Sequence, residues 1–493
     1  MKHSLKVILL CSAPILCVLG WGADTSRTQP ELTQIREKVT KWVDQVIPPK
    51  KSKEIKVGII VGSVSTGEIL FERNSESLFI PASVSKIFTS YSVLKRLKPN
   101  FTFKTGIFVS GSVNDGKLSG DLYVRGSGDP SLVSERMWLL VNEFVRSGIK
   151  TIQGNIIIDS SYFDSEKNPE TRPKYLKDQA YNAPVGAFSF NFNTTTIFVN
   201  PADGPGKPPK VYTDPDNSYI DVVNQATTGK PDSSLTIQVS RTEYVKGDLG
   251  DTVLLRGSIP MGHKELRFYR NIVNPALYSG HMLKTFMEQR GLRVEGTVVE
   301  GSVSPSAKQV IEFESQPLWH IVWGLNKFSN NFVADQLMKK LGAEMWGPPG
   351  TLQKGVAAIQ DIVEDLGFPK NSFSIVDGSG LTRSTQVTPK MIYQVLLSAH
   401  QDFGMYPEFI SSLGIAGEDG TLRNRIPGSD NQAPLRGKTG TLDGVSSLAG
   451  YVPSKDGELL AFAILLNDPK LQQGRMSGWV DQIAKHFREI SRR

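Results

Sequence analysis

Pro81-Ala82-Ser83-Val84-Ser85-Lys86 closes a strand-like run and opens a helical one. Upstream, Val57 to Ser63 is a continuous apolar stretch of strand length. A Ser65-Thr66-Gly67 turn leads from it into a second strand, Glu68 to Arg73, so the pair reads as a hairpin, preceded by a polar helix over about Gln29 to Ile47. Downstream, a helix starts near Pro81 and runs to about Leu97. From Phe103 to about Ile311 the character changes. Short strand-like runs (Gly106 to Val109, Leu122 to Arg125, Asn155 to Ile158, Leu235 to Val239, Thr252 to Arg256) alternate with turn clusters, and little helical periodicity shows before about Pro275 to Gly291. Five prolines between Pro201 and Asn217 read as loop. Helical spacing returns with Leu318, Ile321, Val322 and Leu325, then Phe332, Leu337 and Leu341, then Val356, Ile359, Ile362 and Val363. Strands are expected at Leu435 to Thr441, Val445 to Val452 and Leu459 to Leu466, followed by a helix presenting Trp479, Ile483, Phe487 and Ile490 on one face. Strands plus helices on either side of a β-rich middle predict an α+β domain interrupted by an insertion.

The length, 493 residues, suggests roughly three domains. With 39% hydrophobic and 21% charged residues, wholesale disorder is excluded. The 56 Lys and Arg against 49 Asp and Glu give +7, too mild a charge, without a Lys/Arg block, to argue for nucleic acid. At the N-terminus, Lys2 and Lys6 precede a mostly apolar run, Val7 to Leu19, and the small residues around Gly22-Ala23. Thirteen apolar residues are short of the about 20 that span a bilayer. We read residues 1–22 as a signal peptide and expect an exported, soluble protein of the periplasm or cell-wall space, without integral membrane association. Both cysteines, Cys11 and Cys17, lie in that segment, so the mature chain carries no thiol and no disulfide. Leu16 before Cys17 is too bulky for the usual lipoprotein cleavage pattern.

Several chemistries lack support. No pair of the six histidines has metal-ligand spacing, so neither a metal nor any other cofactor is expected. No Gly-x-Ser-x-Gly elbow occurs. Gly437-Lys438-Thr439 resembles the end of a phosphate loop, but Gln432 stands where the first glycine belongs. A serine–lysine site remains. Ser83 and Lys86, three apart on a helix, share a face, and a buried lysine whose pKa is depressed towards neutrality can act as the base a serine nucleophile needs. Ser92 and Lys95 repeat the spacing, but nine residues at about 100° each put Ser92 on the opposite face. Ser329-Asn330-Asn331 follows as a polar turn between helices, where a helix cap is the plain explanation. Lys438-Thr439-Gly440 opens onto a strand, with Thr441 next. Gly440 is expected to admit a close-lying substrate backbone.

The ordered set Ser-x-x-Lys, Ser-x-Asn, Lys-Thr-Gly on helix, turn and strand marks active-site-serine penicillin-binding proteins and β-lactamases. The chain resembles the class C low-molecular-mass penicillin-binding proteins, of the D-alanyl-D-alanine carboxypeptidase/endopeptidase type, over essentially its whole mature length. Its distinguishing feature is the 246-residue separation of Ser83 from Ser329, against 109 from Ser329 to Lys438. Gly126 to Pro130, Asp377 to Arg383 and Gly417 to Leu422 match as well. The resemblance implies a transpeptidase-type domain, an antiparallel sheet flanked by helices, over 23–108 and 312–493. It also implies an outer insert domain over 109–183 and 264–311 and an inner one over 184–263.

For the site, the resemblance implies that Ser83 attacks the carbonyl between two D-alanines while Lys86 takes its proton, with Ser83 and Thr441 backbone N–H groups as oxyanion hole. Ser329 and Lys438 would return the proton to the leaving amine, and Lys438 would depress the Lys86 pKa by like-charge repulsion. Asn331 would hold the peptide amide. Lys438, Thr439 and Thr441 would hold the terminal carboxylate, and Asp178 and Arg383 the free end of a diaminopimelate side chain. Peptidoglycan peptides are the implied substrate and β-lactam antibiotics the implied inhibitors. A β-lactamase and a catalytically idle cell-wall binding protein are the competing readings. No motif supplies the fast deacylation the first requires, and intact Ser83, Lys86 and Lys438 argue against the second.

Overall fold

The computed structural model describes residues 29–52, 54–173, 176–243, 250–426, 434–468, 470 and 473–492. The expected signal segment with Cys11 and Cys17 lies outside the described residues. Two sequence-distant segments build one antiparallel sheet in the order Ile69–Arg73, Lys56–Ser63, Leu459–Asn467, Val445–Pro453, Arg436–Leu442, Gly414–Ile415. Its central strands are apolar runs because helices cover both faces and every side chain but those at the strand ends is buried. One face takes the Gln29–Val46 and Gln473–Phe487 helices, through Val39, Val43, Ile483 and Phe487. The other takes the helices Lys86–Leu97, Leu318–Phe328, Asn331–Trp346, Leu352–Glu364 and Pro389–Gln401, whose apolar faces share one core. Among the described residues, no helix is long and apolar enough to cross a membrane.

The insertion leaves this domain after Phe103 and returns at Ser315. Ser315 Oγ accepts from the Phe103 backbone N–H at 2.9 Å, which pins the two crossing strands together. A five-stranded mixed sheet runs Val298–Glu300, Ile156–Asp159, Leu122–Arg125, Lys104–Val109, Lys308–Glu314. The helices Ser134–Val145 and Pro275–Gln289 belong to the same core. Further out, Thr194–Asn200 sits between Lys210–Asp214 and Leu266–Asn271 in one small sheet, and Asp251–Arg256 between Ile220–Asn224 and Gln238–Glu243 in another. Apolar residues of both layers join in one cluster, from Ile107 and Val124 to Ile197 and Val253.

The middle of the chain differs from its sequence reading in four places. The Ser134–Val145 helix was not expected, although Met137, Leu140, Val141 and Phe144 are its buried stripe at helical spacing. Residues 201–217 are not all loop. Lys210–Asp214, free of proline between Pro209 and Pro215, forms an edge strand, the one place in a sheet where flanking prolines cost no ladder bond. The strand expected at Leu235 to Val239 begins three residues later, as Gln238–Glu243. Finally, Lys104–Val109 lies in the insert's sheet and Leu266–Asn271 in that of Thr194–Asn200, each across an expected boundary.

Candidate active site

The turn carrying Ser83 is built before the helix proper begins. Residues Ala82–Ser85 form a 3₁₀ turn and the α-helix starts at Lys86, so the serine sits one tight turn ahead of the expected position. Ala82 is held at φ 49°, a left-handed conformation unusual for a residue with a side chain, at a position fully buried. Two glycine contacts enforce this geometry. A Cβ on Gly380, itself at φ +71°, would lie 2.1 Å from the Ala82 carbonyl oxygen. One on Gly440 would lie 2.4 Å from that of Pro81 and 3.1 Å from the Ser83 nitrogen. At Gly440, the backbone that a side chain would meet is the chain's own nucleophile turn.

Lys86 is completely buried, and its Nζ donates to Ser83 Oγ at 2.7 Å, Asn331 Oδ1 at 2.7 Å and the Ser379 carbonyl at 2.6 Å. Burial drives its pKa down to about 7, against the opposing pull of Asp335 and Asp377. Arg172 is a neighbouring cation that assists, and the repulsion expected between Lys86 and Lys438 is present as well, lowering Lys438. Lys438 is itself fully buried and pushed well down, first by burial and then by the Lys86 charge. Ser92 is buried with no hydrogen-bond partner for its hydroxyl among the described residues, and Lys95 is held protonated by its bond to Asp402 at 2.9 Å. That pair has neither the contact nor the base.

Ser329, at φ 55° and ψ 38°, is the left-handed C-cap of the Leu318–Phe328 helix, and Asn330 caps the next helix by accepting from the Val333 N–H at 3.1 Å. Two helix ends meeting in three residues aim Ser329 and Asn331 into the site. Lys438 Nζ donates to Ser329 Oγ at 2.8 Å, and Thr439 Oγ1 bonds Thr421 Oγ1 at 2.7 Å, in the Gly417–Leu422 loop. The Gly414–Ile415 strand pairs only with Arg436 and Gly437, so Lys438 to Leu442 is an uncovered edge among the described strands. Ser83, Lys86, Ser329, Asn331, Lys438, Gly440 and the half-buried Thr441 thus surround one cleft.

The two remaining expected residues are engaged elsewhere. Asp178 pairs with Arg270 at 3.5 Å and accepts from Gln179, while the exposed Arg383 donates to the Asp443 carbonyl. The segments that carry them do reach the site, Asn331 Nδ2 donating to the Tyr181 carbonyl at 2.8 Å and Lys86 to the Ser379 carbonyl. Sequence reasoning missed Arg172 of the insert. It forms a buried ion pair with Asp335 and donates to Ser379 Oγ at 3.2 Å and Asn182 Oδ1 at 2.9 Å. The signals available were the acids it answers: Asp335 on a core-facing helix, and Asp377, which accepts the Gly380 N–H at 2.6 Å and is pushed up to about 6 by burial and by Asp335.

A match to the D-Ala-D-Ala carboxypeptidase 3 (S13) family spans residues 39–486, most of the chain. The chain belongs to that family. A D-alanyl-D-alanine carboxypeptidase of Actinomadura sp. (strain R39) is 31% identical over 94% of this chain and 85% of its own. The D-alanyl-D-alanine carboxypeptidase DacB of Haemophilus influenzae is 26% identical, over 83% and 85%. The crystal structure of penicillin binding protein 4 from Haemophilus influenzae superposes with a TM-score of 0.78 at 22% identity, covering 92% of this chain and 99% of that one. It has also been solved in complex with a β-lactam. The fold is thus the penicillin-binding, β-lactamase-like one with inserted domains, and this S13 member is a serine peptidase of the D-Ala-D-Ala carboxypeptidase type.

Proposed function

We propose that this S13 peptidase hydrolyses the D-alanyl-D-alanine bond of peptidoglycan stem peptides and cross-links, as carboxypeptidase and endopeptidase, through an acyl-enzyme on Ser83, and that β-lactams acylate the same serine. The observation that carries the reading is the fully buried Lys86 amine 2.7 Å from Ser83 Oγ, its pKa brought down to about 7. A neutral amine there takes the hydroxyl proton as Oγ attacks the carbonyl carbon. The Ser83 and Thr441 N–H groups meet the developing oxyanion, each worth about 3 kcal/mol of barrier. Protonated Lys86 gives that proton back, relayed through the Ser329 hydroxyl that Lys438 bonds, to the departing D-alanine amine, and is neutral again for the second step. Water then attacks the ester, with Lys86 again as base. Asn331 bridges Lys86 and the Tyr181 carbonyl, which suits it to align the acylated peptide. Thr439 and Thr441 lie on the uncovered strand edge beside Lys438, where a terminal carboxylate meets both hydroxyls and cation.

This reading includes export, through residues 1–22, to the periplasm or wall space, and an insert of two nested units. Asp178 and Arg383 are its specificity element. A diaminopimelate ammonium takes the place of Arg270 beside Asp178, and its carboxylate that of the Asp443 carbonyl beside Arg383. Asp178→Ala should lower kcat/KM on diaminopimelate peptides by about 10- to 100-fold, the worth of a charged hydrogen bond, and leave penicillin acylation unchanged. Equal losses on both would make Asp178 a support of the fold through Arg270. Release of D-alanine from a muropeptide, measured beside turnover of benzylpenicillin, tests the activity. D-alanine release with a persistent penicilloyl adduct is expected. Rapid penicillin turnover without D-alanine release would make the protein a β-lactamase, and neither reaction would make it a binding protein.

A further inference from the structure

The insert holds a cavity of about 520 Å³, lined by residues between Lys167 and Val273. Its wall carries four cations, Lys167, Arg172, Lys177 and Arg241, with the amides of Asn182 and Asn271, and no carboxylate is among its lining residues. Two of those cations are deeply buried and incompletely satisfied. Arg172 is 8% exposed and its Nε has no hydrogen-bond partner among the described residues. Arg241 is 6% exposed, and its Nη1 has none either, Asp251 Oδ1 standing 4.0 Å away. Both unpaired nitrogens are closed off from solvent, so they mark the cost of holding the two guanidiniums in place, and it is the remaining positive charge of the wall that is open to an acceptor. The other atoms of Arg241 are fixed, Nε donating to Asn271 Oδ1 at 3.1 Å and Nη2 to the Lys177 carbonyl at 2.9 Å, so the group is held in place before any ligand arrives. The Lys167 and Lys177 amines form no ion pair among the described residues. Two buried acids, Asp335 and Asp251, answer the two arginines, and the lysines remain as surplus positive charge.

We propose that this cavity is an anion site for a phosphate group, outside the catalytic cleft and independent of the substrate reading above. Fixed guanidinium forks with flexible ammonium groups around them suit the several oxygens of a phosphate. The volume far exceeds that of a bare ion, with room for a phosphate carried on a larger molecule. Occupancy also reaches the chemistry. Arg172 lines the cavity and donates to Ser379 Oγ, and the Ser379 carbonyl accepts from Lys86. An anion seated on Arg172 offsets a charge that helps keep Lys86 neutral, so it slows acylation at neutral pH and not in alkali.

Calorimetric titration of the full chain with inorganic phosphate, and separately with glycerol 3-phosphate, tests the site without reference to activity. The Lys167→Ala/Lys177→Ala variant removes the two unpaired cations and leaves every bond of the buried arginines intact. Saturable binding that weakens by about tenfold or more in that variant is expected. Tighter binding of the ester would assign the remaining volume to the phosphate's carrier, and equal binding would assign the site to the free ion. Absence of binding to the unaltered protein, or equal affinity in the variant, would overturn the proposal.

Discussion

Lys86 holds its amine between a serine hydroxyl, an asparagine carbonyl and a backbone carbonyl, with no water-facing surface. Burial penalises the charged form, so the amine is deprotonated above about pH 7. Acylation by benzylpenicillin, followed from pH 5 to 9, should fall about tenfold per unit below pH 7, where Lys86 is protonated, and level off above it. A rate still climbing tenfold per unit at pH 9 would mean an amine near its ordinary value and a different base. The Ser-Lys pair and its partners were legible in sequence because each motif is local: three residues on a turn, a helix-to-helix turn, a strand opening. Their electrostatic setting was not. Arg172 and Asp335 meet across 163 residues, Asp377 lies further still, and no spacing rule links residues that the tertiary fold alone brings together.

At the scale of elements, the site is a contact between the Ala82–Ser85 turn and the Arg436–Leu442 strand. Gly440 lets them touch. In Gly440→Ala, the added carbon meets the Pro81 carbonyl oxygen at 2.4 Å, so strand or turn must move. The expected cost is about 1–3 kcal/mol of stability, with acylation about 100-fold slower from misplacement of the nucleophile. Thermal melts and penicillin-binding rates check both, and an unchanged rate would separate the strand from the oxyanion hole. Elements with strong local periodicity, such as the helices from Leu318 to Glu364 and the three C-terminal strands, were readable from the chain. Lys210–Asp214 was not: it becomes a strand by pairing with Thr194–Asn200, while its own neighbourhood, dense in proline, argues for loop.

Over the whole molecule, the insert does more than hang from the peptidase domain. Its Arg172 enters the core of that domain and its Tyr181 carbonyl fixes Asn331. Arg172→Met strands Asp335 in a buried setting, which should cost about 3–5 kcal/mol, measurable by denaturant unfolding. The same change removes a cation that depresses Lys86 and leaves the two acids that raise it. The acylation pH profile should therefore move towards alkali; a profile that stays put would confine Arg172 to a structural role. The interrupted architecture itself was legible from the 246 residues between the first two motifs, whereas the tie through Arg172 became visible only with the two domains side by side.

The most direct test of the account is the mass-mapped site of the benzylpenicillin adduct in the full chain. A single penicilloyl group is expected on the peptide containing Ser83, absent in a folded Ser83→Ala variant and retained in Ser92→Ala. An adduct on Ser92, or on any peptide between residues 109 and 311, would contradict it.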